Sequence, residues 1–468
     1  MISVTIRTTK TTFERTYSAP VTAAKVLADV GIFQPHPCGG RGTCRKCRIL
    51  LNGQPVPACQ TEIHKDATID YTDNSAAMQG ITDGFSANFE KLPLIESGYG
   101  AAIDIGTTTI AGYVYHFPSG RQVHAACVPN PQSTFGADVI SRIDAFRAGH
   151  GDNLRIRVQN ALHTLVANYP IQKWVITGNT AMLHLLAGRD PSAMAVAPYH
   201  AEHLFGEWQN NTWLMPCISA YVGADITAAV LASGMDAHPT ALLIDIGTNG
   251  EMVLKHNDTL LCCATAAGPC FEGAGISCGV PAIPGAICRV WAENGALQFD
   301  TVAHEPPVGL CGTGLVDAIA VLLKLGLIDE TGYLEESFRF GDSDVLLTPK
   351  DIRQFQLAKS AIRSGLDTLL HVAEISPSAI DAFYIAGGFG SALNIDSAVQ
   401  TGLIPAELAG AAVSIGNGAG AGAAMVLQSR PCMETAVQIA ARAKAVTLAE
   451  NAFFTQRYAE NMLFSVEY

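Results

Sequence analysis

Four cysteines stand close together near the start of this chain. They read Cys38-Gly-Gly-Arg-Gly-Thr-Cys44-Arg-Lys-Cys47, with Cys59 following in Pro57-Ala58-Cys59-Gln60. Thiolates at such spacing can hold a metal centre or pair as disulfides. A structural zinc site favours paired Cys-x2–4-Cys knuckles, and here only Cys44 and Cys47 are that close. Disulfides suit secreted proteins, and no signal peptide opens the sequence. Four thiolates on a glycine-rich loop suit two sulfide-bridged irons, so a [2Fe–2S] centre on Cys38, Cys44, Cys47 and Cys59 is the favoured reading.

A second chemistry is written twice. Ala102-Ile-Asp104-Ile-Gly106-Thr107-Thr108-Thr109 recurs 141 residues later as Leu243-Ile-Asp245-Ile-Gly247-Thr248-Asn249-Gly250. In each copy a buried strand runs into Asp-x-Gly-Thr. A glycine after a strand lets backbone N–H groups approach phosphate oxygens, and the threonine hydroxyls add donors. The aspartate can hold Mg²⁺, usually through waters, because that ion dehydrates reluctantly. One copy would be an ordinary turn. Two matched copies, too far apart for a solenoid repeat, point to two similar lobes facing each other.

The elements that must carry these residues follow from periodicity. Residues 1–85 read as a small β-rich domain: strands over 3–7 and 48–51, the latter before an Asn52-Gly53 turn, and a short helix over 21–29. Residues 86–98 look like a linker. From residue 99 onward, apolar strands ending in Gly/Thr loops alternate with helical stretches such as 154–167 and 314–327. A C-terminal helix is expected over 434–449. With 49% hydrophobic and only 15% charged residues, large buried cores are expected. A net charge of −13 argues against a nucleic-acid partner. No apolar run is long enough to span a membrane. Thirteen cysteines without a secretion signal imply a reducing compartment, so a cytoplasmic location is expected.

The cluster loop resembles the adrenodoxin-like variant of the ferredoxin loop. The later motifs resemble the actin, heat-shock-chaperone and sugar-kinase ATPases, in the order that superfamily uses. The phosphate motifs are Asp104–Thr109 and Asp245–Glu251. The first connecting helix is Ala224–Asp236, the adenosine motif Ile385–Gly390, and the second connecting helix Asn417–Met425. The resemblance implies an α+β ferredoxin-like β-grasp domain followed by an α/β two-lobed ATPase domain, with lobes at about 99–236 and 237–415 and C-terminal helices over 416–468. It also implies roles. Asp104 and Asp245 would anchor Mg²⁺. Gly106, Thr107, Thr108, Gly247, Thr248 and Asn249 would cradle the phosphates of ATP. Gly387, Gly388 and Phe389 would line the nucleoside pocket, and Asp225 would orient or deprotonate the attacking water.

A ferredoxin domain fused to this ATPase fold resembles the reductive activators of corrinoid proteins. Further stretches carry the likeness: Asn130-Pro-Gln132 with Gly136–Arg142, Thr177–His184, Ala266–Gly275 and Leu310–Asp317. The resemblance implies ATP-dependent return of cobalt(II) to cobalt(I) in the corrinoid protein of a methyltransferase system. An external low-potential donor would supply the electron, and a homodimer is left open. A plant-type [2Fe–2S] centre lies near about −400 mV. Each ~60 mV of shortfall costs ~1.4 kcal/mol for one electron, which nucleotide can offset. Longer members carry an extra domain between ferredoxin and ATPase; here Asp104 follows a short linker, as in a short form without it. Two competing readings are an electron donor to a different acceptor such as a radical dehydratase, and a redox-sensing nucleotide-binding regulator. The later cysteines Cys262, Cys263, Cys270, Cys278, Cys288 and Cys311 lack a ligand pattern and read as packing residues, as does His184. Glu251 and Glu272 read as supporting groups of the ATP site or as solvent-facing. Asn130 and Asp138 read as loop caps or as contacts to phosphate or partner.

Overall fold

The computed structural model describes residues 1–8, 11–30, 32, 47–71 and 85–464. The N-terminal unit is a five-stranded mixed sheet. Ile2–Thr8 pairs antiparallel with Thr12–Tyr17 and parallel with Ala67–Tyr71; Arg48–Leu51 then joins Ala67–Tyr71 to Gln54–Pro57. Alternation builds its core: Val4 and Ile6 point inward against Val26, Leu27 and Ile69, while Ser3 and Arg7 face out. The Asn52-Gly53 turn has positive φ at both residues (51° and 77°), the geometry a two-residue hairpin requires. The helix begins at Ala23 rather than at Val21, because Val21–Thr22 instead pairs with Glu62–Ile63.

Two six-stranded sheets follow, and they share one plan. In the first, Gly98–Ile105 lies between its hairpin partner Thr109–Phe117 and the parallel strand Ile171–Gly178; Arg121–Pro129 extends the hairpin side. In the second, Thr240–Ile246 lies between Gly250–His256 and the parallel strand Ala382–Ala386; Thr259–Thr265 extends the hairpin side. The repeated Asp-x-Gly-Thr thus ends the same strand of each sheet. Both faces of Thr240–Ile246 are covered. Ala241 and Leu243 join one core with the first sheet, whereas Leu242, Ile244 and Ile246 join another with the long helix Pro349–Ala373.

The expected helix over 434–449 is displaced. It starts at Arg430, capped by Ser429 (Cys432 N–H to Ser429 Oγ, 3.3 Å), and stops at Arg442. Ala443–Ala445 then adds to the second sheet beside Leu260–Cys262. An open sheet edge outweighs the helix preference of alanine there.

Helices Ala224–Ser233 and Gly418–Gln428 cross between the lobes at backbone contact. A Cβ on Gly422 would lie 2.1 Å from the Ala228 carbonyl oxygen, and one on Gly420 would lie 2.5 Å from the Tyr113 ring. Glycine is therefore required at this crossing. We expect Gly422→Ala to destabilise the protein by about 1–3 kcal/mol, since the contact is with backbone that cannot turn away. Gly410→Ala, where nothing lies within 4 Å, should be neutral. Thermal unfolding of the two variants side by side checks this.

Candidate nucleotide and electron-transfer sites

Each phosphate motif closes on its own glycine: Gly106 N–H donates to Thr109 O, three residues on, and Gly247 N–H to Asn249 O, two residues on, both at 2.9 Å. In the first loop every carbonyl is tied back. Gly106 O accepts from Asn130 Nδ2 (2.8 Å), Thr107 O from Arg142 Nη2 (2.5 Å) and Thr108 O from Asn130 N–H (2.8 Å). Carbonyl oxygens repel an anion, so drawing them away leaves the loop's amides and hydroxyls to it. Arg142 is fully buried, and burial pulls its guanidinium down to about 10, still cationic near neutral pH. Asn179 donates from Nδ2 to Thr107 Oγ1 (3.0 Å), while its Oδ1 caps the helix Thr180–Ala187. Asn130 thus both caps a turn, accepting from Gln132 N–H, and braces the loop. Asp138 is a helix cap.

The aspartates from the two lobes come within one another's fields. Asp104 is raised to about 7 by burial and by the charge of Asp245, against a hydrogen bond from Asn417. Asp225, in the first turn of its helix, is raised to about 8 by burial and by Asp104 and Asp245. Asp245 is raised to about 6 by burial and by Glu272. Gly223 lets the chain pass here, since a Cβ would lie 2.5 Å from Asn179 Cα and 2.7 Å from Asp225 Oδ1. Gly387, at φ 86°, similarly brings the adenosine motif against Asp245: a Cβ would lie 2.6 Å from Asp245 Oδ1. Phe389 packs on Phe271 with ring centroids 4.8 Å apart.

Two carboxylates fell outside the roles assigned from motifs. Glu251 is buried directly across the hairpin from Asp245, where the first lobe has Ala111 across from Asp104. Burial and the charges of Asp225 and Asp245 raise it well above the usual carboxylate range. Glu272 accepts from Thr108 Oγ1 of the first loop (3.2 Å) and from Thr248 Oγ1 of the second (3.1 and 3.0 Å). One carboxylate therefore joins the two phosphate loops. The Asp-to-Glu spacing in the second motif was a signal for Glu251. Glu272, which lies on a short turn after Gly268, was read as a supporting group of the ATP site or as solvent-facing; its contact with both loops was not visible in the sequence.

In the N-terminal unit Cys47 is buried, and the Cys59 N–H points at Cys47 Sγ (3.5 Å). Cys38 and Cys44 lie outside the described residues. Of the later cysteines, Cys262 packs in the first core and Cys263 and Cys270 in the second, with burial pushing the Cys262 and Cys270 thiols up to about 12. His184 is buried in its helix, with Nδ1 2.8 Å from Thr180 O.

Residues 239–467 match the family model described as the C-terminal domain of RACo, the ASKHA domain, and residues 99–238 match the RACo middle region. The corrinoid activation enzyme RamQ of Eubacterium limosum is 32% identical over 467 residues, covering 85% of this chain and 78% of that protein. This chain belongs to the RACo family. A Methanosarcina barkeri protein named Co(II) methylated amine-specific corrinoid protein reductase is 32% identical over 233 residues, 44% of this chain and 43% of its own length. Among solved structures, a reductive activator for corrinoid, iron-sulfur protein superposes with a TM-score of 0.72 at 26% identity, covering 99% of this chain and 98% of that one. The two lobes are thus the ATP-binding ASKHA fold of RACo proteins. Residues 99–238, which match the RACo middle region, are the first lobe itself.

The raised aspartates set a pH dependence. Between about pH 4 and pH 8 the folded chain holds protons that the unfolded chain releases, so stability without nucleotide falls as pH rises through that window. Asp225→Asn removes the uppermost of these groups. We expect its unfolding temperature to fall less steeply than the wild type's between pH 7 and pH 9. Glu272 puts negative charge where phosphate would meet both loops. Glu272→Gln should therefore bind ATP several-fold more tightly, and titration with a fluorescent ATP analogue checks the sign.

Proposed function

We propose that this protein reactivates a corrinoid protein, using ATP to support one-electron reduction of its cobalt(II) to cobalt(I). The corrinoid is the substrate. The observation that carries the reading is the convergence of Asp104, Asp225 and Asp245 beside two phosphate loops, in a chain of the RACo family. The N-terminal sheet is read as the ferredoxin-like domain, residues 1–85, with 86–98 as linker and the lobes as delimited from the sequence.

The donor set fits Mg²⁺. Buried carboxylates with raised affinity for protons, and no cation among the causes acting on them, ask for positive charge. Among the described residues no three His, Cys, Asp or Glu side chains are placed to hold an ion directly. That suits a cation retaining its waters, with Asp104 and Asp245 as anchors. Bound Mg²⁺ supplies charge neutralisation on the phosphates. Thr107, Thr108, Thr248 and Asn249 donate to phosphate oxygens, with Gly106 and Gly247 allowing close approach. Gly387, Gly388 and Phe389 receive the nucleoside. Asp225 accepts a proton from, or orients, the attacking water.

The two described thiols fit the [2Fe–2S] reading. A backbone N–H directed at a buried cysteine sulfur stabilises the thiolate that ligation requires. Cys38 and Cys44 complete the proposed ligand set. Such a cluster supplies one-electron transfer at low potential. An external donor reloads it.

Basal ATP hydrolysis should be slow and should rise when a cobalt(II) corrinoid protein is added. Asp225→Asn should bind ATP but lose at least tenfold in hydrolysis. Cys47→Ser should keep partner-stimulated hydrolysis while the cobalt(II) absorption persists. Cobalt reduction at the same rate without nucleotide would falsify the reading.

A further inference from the structure

Asn417 stands where one lobe hands over to the other. The strand Ala412–Gly416 belongs to the second sheet; Gly416 turns at φ 58°, and Asn417 opens the helix Gly418–Gln428 that packs on the first sheet. Its side chain is buried, meets Tyr113, and makes two further bonds. Oδ1 accepts from Gly420 N–H (2.6 Å), capping the helix, and Nδ2 donates to Asp104 Oδ2 (3.1 Å). The cap and the Asp104 contact are made by one planar amide, so neither end moves without the other.

The far side of the same helix is tied to the segment that follows the N-terminal unit. Residues 85–95 run alongside it. Phe85 N–H donates to Ile415 O (3.1 Å) just before the helix, and Leu94 N–H to Leu427 O (3.1 Å) near its end. Arg430 N–H donates back to Leu92 O (2.8 Å), and Ala87 N–H reaches Ala232 O (2.8 Å) at the end of the other crossing helix. This strap therefore touches both crossing helices. At Gly234 a Cβ would lie 2.7 Å from Ala87 Cβ.

We propose that Asn417 is a positioning residue that couples nucleotide at Asp104 to the strap at residues 85–95. The proposal rests on the nucleotide site assigned above. A phosphate-bound cation at Asp104 changes what Oδ2 can accept. The amide of Asn417 must respond, and with it the first turn of a helix whose flanks hold the strap.

Asn417→Ser separates the two uses, because serine is a good N-cap but too short to reach Asp104. Hydrogen exchange is followed in the full chain, with and without saturating Mg²⁺ and a non-hydrolysable ATP analogue. In the wild type, the analogue should shift exchange in peptides spanning 417–430 and 85–95. In Asn417→Ser, with an unfolding temperature near that of the wild type, the shift over 85–95 should be lost. Asn417→Thr, which also caps but is too short to reach Asp104, should lose it too and guards against poor folding of the first variant. Wild-type binding without any shift over 85–95, or an undiminished shift in both variants, overturns the proposal. No binding of the analogue by the wild type overturns the assignment of the cleft and this coupling with it.

Discussion

Five carboxyl groups, Asp104, Asp225, Asp245, Glu251 and Glu272, stand in one another's fields where the two lobes meet. Burying like charge is costly, and the neighbouring groups are arranged to bear it. Neutral donors serve here: the amide of Asn417 on Asp104 and the hydroxyls of Thr108 and Thr248 on Glu272. Arg142, the buried cation nearby, spends its hydrogen bonds on the carbonyls of Gly136 and Thr107 and on Met182 Sδ. Within the protein, then, none of the described donors to these carboxyls is cationic.

That electrostatic demand needs two rigid halves that can approach closely. The matched sheets supply the rigidity, each ending its central strand in the same Asp-x-Gly turn. The approach is set by residues without side chains. Gly422 lets the crossing helices touch backbone to backbone, and Gly387 lets the adenosine motif reach Asp245. Glu272 then spans the gap between the loops. The two copies are not equivalent, because the second lobe alone carries a carboxylate, Glu251, across from its aspartate. The acidic field is therefore concentrated on one side.

A repeat of hydrophobic strand and Asp-x-Gly-Thr is legible in one dimension because each copy is local. The same holds for alternation in Ile2–Thr8, the Asn52-Gly53 turn and the glycine-rich crossing helices, all of which depend on neighbours within a few residues. The cysteine spacing is likewise a local pattern, although Cys38 and Cys44 lie outside the described residues.

Contacts over long separations were decided only by tertiary structure. Glu272 meets Thr108 across 164 residues and Asn417 meets Asp104 across 313, and no spacing rule connects them. The C-terminal helix stops at Arg442 because a strand edge from residues 260–262 lies beside it. The composition of residues 443–449 carries no trace of that edge. Local backbone preference and side-chain periodicity determined most of the strands, turns and helices, Ala443–Ala445 being an exception. Which carboxylates share a field, and which amide joins Asp104 to the start of the crossing helix, depended on how those elements pack.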